Sequence, residues 1–383
     1  MHLSNNLYEM SKIVALATAI PRYKYQQEDI ASYMSSEQGF GLKDKAREIN
    51  LLYKKTRIKY RYSVIPDYQN DKGAKVLFTK NNAVPSVDDR MELYNKEVLP
   101  LAISAIAECM KEANSNTQKK IALSDITHLI TVSCTGLAAP GLEIELSEYL
   151  KLAPEISRFG VNFIGCYASF HALKMADDIC RSRNEAKVLI VSVELCTIHF
   201  QKDTDKDNLL ANAIFADGAA AVLITADDFA SENFDRQLKM DSFCTHVLHK
   251  GSKDMAWKIS SKGFLMRLSS YIPDLVDEGI GPLVKSSLSR LHLENDSIHH
   301  WAIHPGGSKI LEVCHRILGL ENGALDPSYK ILAEFGNMSS PTILFVLKEI
   351  WDNRIEWDKP QNIFAAGFGP GITMESAVLS TAN

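Results

Sequence analysis

The chain has 383 residues, 46% of them apolar and 23% charged, with a net charge of -5 at neutral pH. That length supports two core-forming units of ordinary domain size, and the mild charge, with no dominating Lys/Arg block, argues against nucleic acid as a partner. Seven cysteines, an odd number with no C-x-x-C pair, give neither a disulfide framework nor a zinc site and point to a reducing, cytoplasmic setting.

The apolar run from Ile13 to Ile20 is too short for a membrane span and lacks the basic flank and cleavage pattern of a signal peptide, so it is expected to be a first buried strand. Gln26 to Tyr53 is polar and helical in character. Next, Lys55, Arg57, Lys59 and Arg61 alternate with Thr56, Ile58, Tyr60 and Tyr62. An extended backbone would put these four cations on one face, either to hold phosphates or simply as a solvated edge. Pro66 to Arg90 reads as a surface excursion and Met91 to Ala113 as a long helix. Ile126 to Val132 is a strand ending at Ser133-Cys134-Thr135-Gly136, followed by an amphipathic helix to about Leu152. Lys187 to Leu195 reads as a fully apolar strand buried on both faces, and Asp217-Gly218 as a tight turn before another buried strand to Ile224.

Between these lies Val161 to Leu173, where an apolar run meets a cysteine and then a helical pattern continuing to Ile179. Cys166 sits where a strand hands over to a helix. The unpaired N–H groups of a first helical turn and the helix dipole favour a thiolate there, although free cysteine more commonly serves as a small buried hydrophobe.

The second half repeats this order. Ile298 to His304 followed by Pro305-Gly306-Gly307 and a helix to Leu318 matches the Ile126 to Leu152 unit. Ile331 to Gly336, with Asn337 opening a helix through Trp351, matches the Cys166 unit, and Asn362 to Gly371 matches Lys187 to Leu195. A duplicated strand-helix-strand-helix-strand module is expected, its halves being residues 1–228, with the nucleophilic cysteine, and 229–383, with the histidine and asparagine. In pseudo-symmetric halves Cys166, His304 and Asn337 would converge at strand-to-helix junctions, where open α/β sheets place ligands.

These three side chains form a chemically coherent set. Cys166 would take an acyl group as a thioester, activated by His304, while the His304 and Asn337 N–H groups would donate to one carbonyl oxygen as it becomes an enolate. Each residue also has a plainer use: His304 as a packed turn histidine, Asn337 as a helix N-cap. His299, His300 and His304 do not make a metal site, because successive strand residues point to opposite faces and no carboxylate or thiolate completes the set. Cys134 and Cys196 compete as nucleophiles but sit less cleanly before a helix, and both could instead line the pocket.

Five ordered motifs carry a resemblance over essentially the full chain: Val161 to Ser169, Phe215 to Ala221, Ile303 to Gly307, Gly336 to Ser340 and Gly367 to Gly371. The sequence resembles the type III polyketide synthases, the chalcone synthase-like family. The resemblance implies an α/β fold of thiolase-like αβαβα layers, a homodimer, acyl-CoA and malonyl-CoA as substrates without a carrier protein, and neither metal nor cofactor. It implies Cys166, His304 and Asn337 as catalytic residues and Cys134, Thr135, His199, Phe215, Trp257, Met266, Ser339, Gly367 and Phe368 around the substrate pocket. Phe215 falls on a gatekeeper position, and Lys55, Arg57 and Ser308 on the CoA-binding side. Several pocket residues depart from the plant pattern. Trp257 replaces a glycine, Met266 the second gatekeeper phenylalanine, His199 and Cys134 two threonines, and Ala139 a methionine that reaches into the partner subunit. Trp257 should shorten the pocket, while Met266 and Ala139 open space.

The rival within this fold is a ketoacyl-synthase III-like enzyme of fatty-acid initiation, which takes malonyl units from a carrier protein. Hydroxymethylglutaryl-CoA synthase-like chemistry would need a carboxylic acid beside the cysteine, and no Glu motif suggests one. A binding or scaffolding subunit would not need all three polar residues.

Overall fold

The structure, a computed structural model, describes residues 11–68, 75–79, 84–269 and 271–381. The first half runs β1 (Ser11–Ala19), β2 (Tyr23–Gln26), α1 (Gln27–Ser35), α2 (Ala46–Lys55), β3 (Tyr60–Ser63), α3 (Val87–Ser115), β4 (His128–Ser133), α4 (Leu142–Tyr149), β5 (Ser157–Asn162), α5 (Ala168–Ser182), β6 (Lys187–Leu195), α6 (Lys206–Ile214), β7 (Asp217–Ala226) and α7 (Asp227–Asn233). The second runs β8 (Leu238–Val247), β9 (Met255–Ser260), β10 (Gly263–Leu268), α8 (Ile272–Ser289), β11 (His300–Ile303), α9 (Ser308–Leu318), α10 (Asp326–Phe335), α11 (Thr342–Asn353), β12 (Asn362–Gly369) and β13 (Thr373–Thr381).

Nine strands join in the order β11-β12-β13-β8-β1-β7-β6-β4-β5. Among the described residues the seam between the halves is narrow, with only Lys12 opposite Lys239 and Ile13 opposite Leu238. Outward from that seam the strand directions repeat. β1, β7 and β6 are successively antiparallel and β6 and β4 parallel, just as β8, β13 and β12 are antiparallel and β12 and β11 parallel. The expected duplication is therefore visible as topology, in a thiolase-like arrangement. Side chains alternate across each strand, so one sheet face joins α5 and α11 in a cluster that includes Phe170, Leu173, Ile343, Leu347 and Trp351, while the other meets α3 and α8.

Four sequence expectations are corrected. Ile331 to Gly336 is not a strand but the end of α10, which Asp326-Pro327 opens at its first turn and which turns Ile331 and Leu332 inward. Among the described residues the second half thus has no counterpart of β5, and Asn337 lies between two helices. The alternating cations do not share a face, because α2 runs to Lys55 and only Tyr60–Ser63 is extended. Pro66 to Arg90 is not wholly at the surface. Asp67 is buried and accepts the N–H groups of Val76, Leu77 and Phe78, and Tyr68 and Arg90 are fully buried, while 69–74 and 80–83 lie outside the described residues. Asp217-Gly218, read as a turn, instead opens β7.

Candidate active site

The turn that carries Cys166 follows β5, with α5 beginning two residues later. Gly165 allows this turn: its φ is +109°, and a Cβ there would lie 2.3 Å from Pro370 Cδ. The glycine-rich 367–371 segment thus packs directly on the nucleophile's turn. Cys134, at the end of β4, accepts the Gly165 N–H at 3.0 Å on its sulfur. His304 follows β11, its N–H bonded to the Ala366 carbonyl at 2.8 Å.

Asn337 is held by backbone. Its N–H donates to Ile214 O and its carbonyl accepts the Ala216 N–H, both at 2.9 Å, forming a bridge between Phe215 and Asn337. Its Oδ1 accepts the Ser339 N–H at 2.8 Å and the Thr342 hydroxyl at 3.4 Å. With its carboxamide oxygen so engaged, Asn337 keeps its side-chain N–H₂ as the donor on the cavity that it shares with Cys166. Asn337 is not the N-cap of α11; it is an oriented donor.

One apolar cavity of about 410 Å³ takes in Cys166, His304 and Asn337 together with Cys134, Thr135, Phe215, Trp257, Met266, Ser339 and Phe368. Lys55 and Ser308 also line it, and the Ser308 hydroxyl donates to the Lys55 carbonyl at 3.3 Å. Three residues expected at the site do not line this cavity. Arg57 instead pairs with Glu312 at 2.8 Å on the surface. Gly367 packs on Phe170. His199 lies behind the wall, where its Nε2–H donates to Thr135 O at 2.7 Å and its Nδ1 accepts the Phe264 N–H at 3.2 Å. There it stacks on Phe264 with centroids 4.3 Å apart and meets the Trp257 ring edge-on at 5.8 Å. His199 therefore buttresses Trp257, whose indole N–H donates to Cys134 O at 2.8 Å.

Burial, opposed by the Ser339 and Asn337 hydrogen bonds, pushes the Cys166 thiol up to about 12. The same desolvation holds the His304 imidazole down at about 3. Burial thus disfavours both charged forms, the thiolate and the imidazolium. That desolvation works against the thiolate that the helix terminus was expected to favour. His304 is 1% exposed, and neither ring nitrogen has a hydrogen-bond partner among the described residues. Buried polar atoms are nearly always paired, so these two are available to reactants: one nitrogen accepts a proton, the other donates to an oxygen. His299 and His300 bond Asn362 N–H and Gln361 at the sheet edge and take no part.

Sequence reasoning missed Glu194. The buried β6 is not wholly apolar: Glu194 accepts the Cys134 N–H and Thr135 hydroxyl at 2.8 Å and the Ser340 hydroxyl at 2.5 Å. Burial raises its carboxyl to about 7. A carboxylate inside an otherwise apolar strand was the available signal, and an acid does stand behind the cysteine wall, though it does not line the cavity. Also missed was the apolar lining from Met255, Leu268 and Ile272.

A buried thiol, an unpaired imidazole and an aimed amide around one apolar chamber define an acyl-transferring condensing enzyme of the thiolase fold. The chain belongs to the chalcone and stilbene synthase family, the type III polyketide synthases, matching the N-terminal domain over residues 5–228 and the C-terminal domain over 239–383. It is 30% identical to the α-pyrone synthesis polyketide synthase-like protein Pks18 of Mycobacterium tuberculosis, over 95% of this chain and 89% of that one. It is also 30% identical to a putative chalcone synthase of Bacillus subtilis, over 97% and 99%. Among solved structures, PKS-I of the brown alga Ectocarpus siliculosus superposes with a TM-score of 0.91 at 25% identity, covering 99% of this chain and all of that one. The fold also matches the C-terminal type III domain of Steely1 from Dictyostelium, with a TM-score of 0.84 at 21% identity over 98% of this chain. These matches do not favour the fatty-acid-initiation rival.

Proposed function

We propose that Cys166 is loaded by a starter acyl-CoA and that His304 and Asn337 promote decarboxylation of malonyl-CoA, with the resulting chain extended iteratively and then cyclised. His304 takes the Cys166 proton as the sulfur attacks the starter thioester, and CoA leaves with a proton. With malonyl-CoA bound, the His304 and Asn337 N–H donors face its thioester oxygen. The bond to the carboxylate breaks, CO₂ leaves, and the electron pair becomes an enolate held by those donors. The enolate carbon attacks the Cys166 thioester and releases the thiolate. The observation that carries this reading is His304, buried in the same cavity as Cys166 with both nitrogens unpaired.

Lys55 and Ser308, on the cavity lining, are the proposed CoA contacts, and no cofactor is needed. Apart from Lys55 and Lys309 the walls carry no Lys, Arg, Asp or Glu and are largely apolar, which suits an aliphatic starter limited in length by Trp257. Of the resorcinol, phloroglucinol and pyrone products open to such chemistry, the mycobacterial relative's name supports a pyrone. A cytoplasmic homodimer is proposed as the working form. β5 is a sheet edge with Phe159 39% exposed, and Leu137, Ile144 and Tyr149 nearby are also exposed, an edge that a second copy would cover. No helix among the described residues is long and apolar enough to cross a membrane. The test is mass spectrometry of products from an acyl-CoA panel with malonyl-CoA. Products growing in two-carbon steps support the reading; CoA release without carbon–carbon bond formation contradicts it.

A further inference from the structure

Arg61 lies on β3 with 1% of its surface exposed, away from the cavity lining. Its Nη1 donates to the carbonyls of Asn212 and Phe215, both at 2.7 Å. These oxygens belong to the C-terminal end of α6, where a helix carries unpaired carbonyls and partial negative charge. Asn212 O also accepts the Tyr53 hydroxyl at 3.0 Å, whereas no other bond to Phe215 O is seen among the described residues. Phe215 is the backbone partner of Asn337. The arginine's stem touches that junction from below: at Gly336, with φ +72°, an added Cβ would stand 2.9 Å from Arg61 Cγ and 3.0 Å from Ile214 O. β3 is further tied to the helix leading into Asn337 by the Lys59 N–H on Ala333 O at 2.7 Å and by Tyr62 stacked on Phe335.

We propose that Arg61 is a positioning residue for the enolate-stabilising half of the site: its guanidinium fixes the Phe215 carbonyl, and the Phe215–Asn337 backbone bridge passes that constraint to the Asn337 amide. Cys166 and His304 are set by other elements, the β5–α5 turn and the end of β11. Arg61 therefore acts on one half-reaction and not the other. A buried cation has a large desolvation cost, and its retention beneath a cavity-lining phenylalanine and an amide donor is accounted for by this constraint. The inference rests on the proposed function.

The test separates the half-reactions in Arg61→Met, Arg61→Lys and Tyr53→Phe. Starter loading is read as the intact mass of the acyl-enzyme. Decarboxylation without starter is read as acetyl-CoA, formed when the enolate takes a proton after CO₂ departs. In Arg61→Met, loading is expected to stay within about threefold and decarboxylation to fall roughly tenfold or more, part of the about 10²–10³ that loss of an oxyanion donor costs. Arg61→Lys, with charge but no fork, should fall between, and Tyr53→Phe, which leaves Phe215 O bonded, should keep the wild-type ratio. Equal loss of both half-reactions, or an unchanged ratio in Arg61→Met, overturns the proposal. If Arg61→Met does not fold, the ratio in Arg61→Lys decides in the same way. A wild-type protein showing neither half-reaction would instead refute the proposed function.

Discussion

Trp257 borders two spaces: the main cavity of about 410 Å³ and a void of about 10 Å³ behind it, lined also by His199, Gln201 and Asn212. Replacing it with alanine joins them and removes the bulk that limits the acyl chain. The substitution forfeits the indole bond to Cys134 O, worth about 1 kcal/mol net, and edge contacts with His199 and Phe264, worth about 0.5–1.5 kcal/mol each. Trp257 is only half-buried, so the total stability loss should sit near the low end of the about 3–5 kcal/mol seen for buried aromatic truncations. Each added methylene that an enlarged pocket accepts is worth about 1 kcal/mol or more, or roughly tenfold in kcat/KM. Competition between short and long straight-chain acyl-CoA starters, read by mass spectrometry, should therefore shift at least tenfold toward the longer. Trp257→Phe, which keeps a ring and loses the donor, should not shift it. A folded Trp257→Ala protein with the wild-type starter preference and chain length would refute the reasoning.

Three further outcomes are expected. Asn337→Ala should lower malonyl-CoA decarboxylation by about 10²–10³ while loading of Cys166 falls far less; equal loss of both would contradict the assignment of Asn337 to the enolate. His304 is held at about 3, below the unfolded value of about 6.5, so as pH falls through that window only the unfolded chain takes the proton. The stability difference between wild type and His304→Gln should then decline by about 1.4 kcal/mol per pH unit below 6.5 and stay flat above it. A constant difference in chemical denaturation would contradict the burial of a neutral imidazole. Lys55 lines the cavity and Arg57 is paired with Glu312, so Lys55→Ala should raise the KM for malonyl-CoA and flatten its rise with salt more than Arg57→Ala does; equal effects would place both cations on the substrate.

The nucleophile's turn, the histidine turn and the repeated strand order were legible in the sequence because strands buried on both faces and glycine-marked junctions follow from local chemistry. Asn337 was found for a partly wrong reason. The largely apolar Ile331 to Gly336, six residues interrupted by Glu334, fits either a strand or a helix, and the Asp326-Pro327 start distinguishes them. Arg61 and Glu194 were unreadable as functional groups because charge alone suggests a surface position, and their burial depends on partners such as Phe215 and Ser340, more than a hundred residues away in sequence. His199 looked like a pocket residue because sequence position cannot tell the lining of a wall from what stands behind it.

Three thiols, Cys134, Cys166 and Cys196, line the one chamber, and the account requires that one of them carry the chain. Intact mass after brief exposure to acyl-CoA, followed by peptide mapping, asks this directly. The adduct should map to Cys166, persist in Cys134→Ser and Cys196→Ser, and vanish in Cys166→Ala. An adduct on either other sulfur, or one that survives in Cys166→Ala, would contradict it.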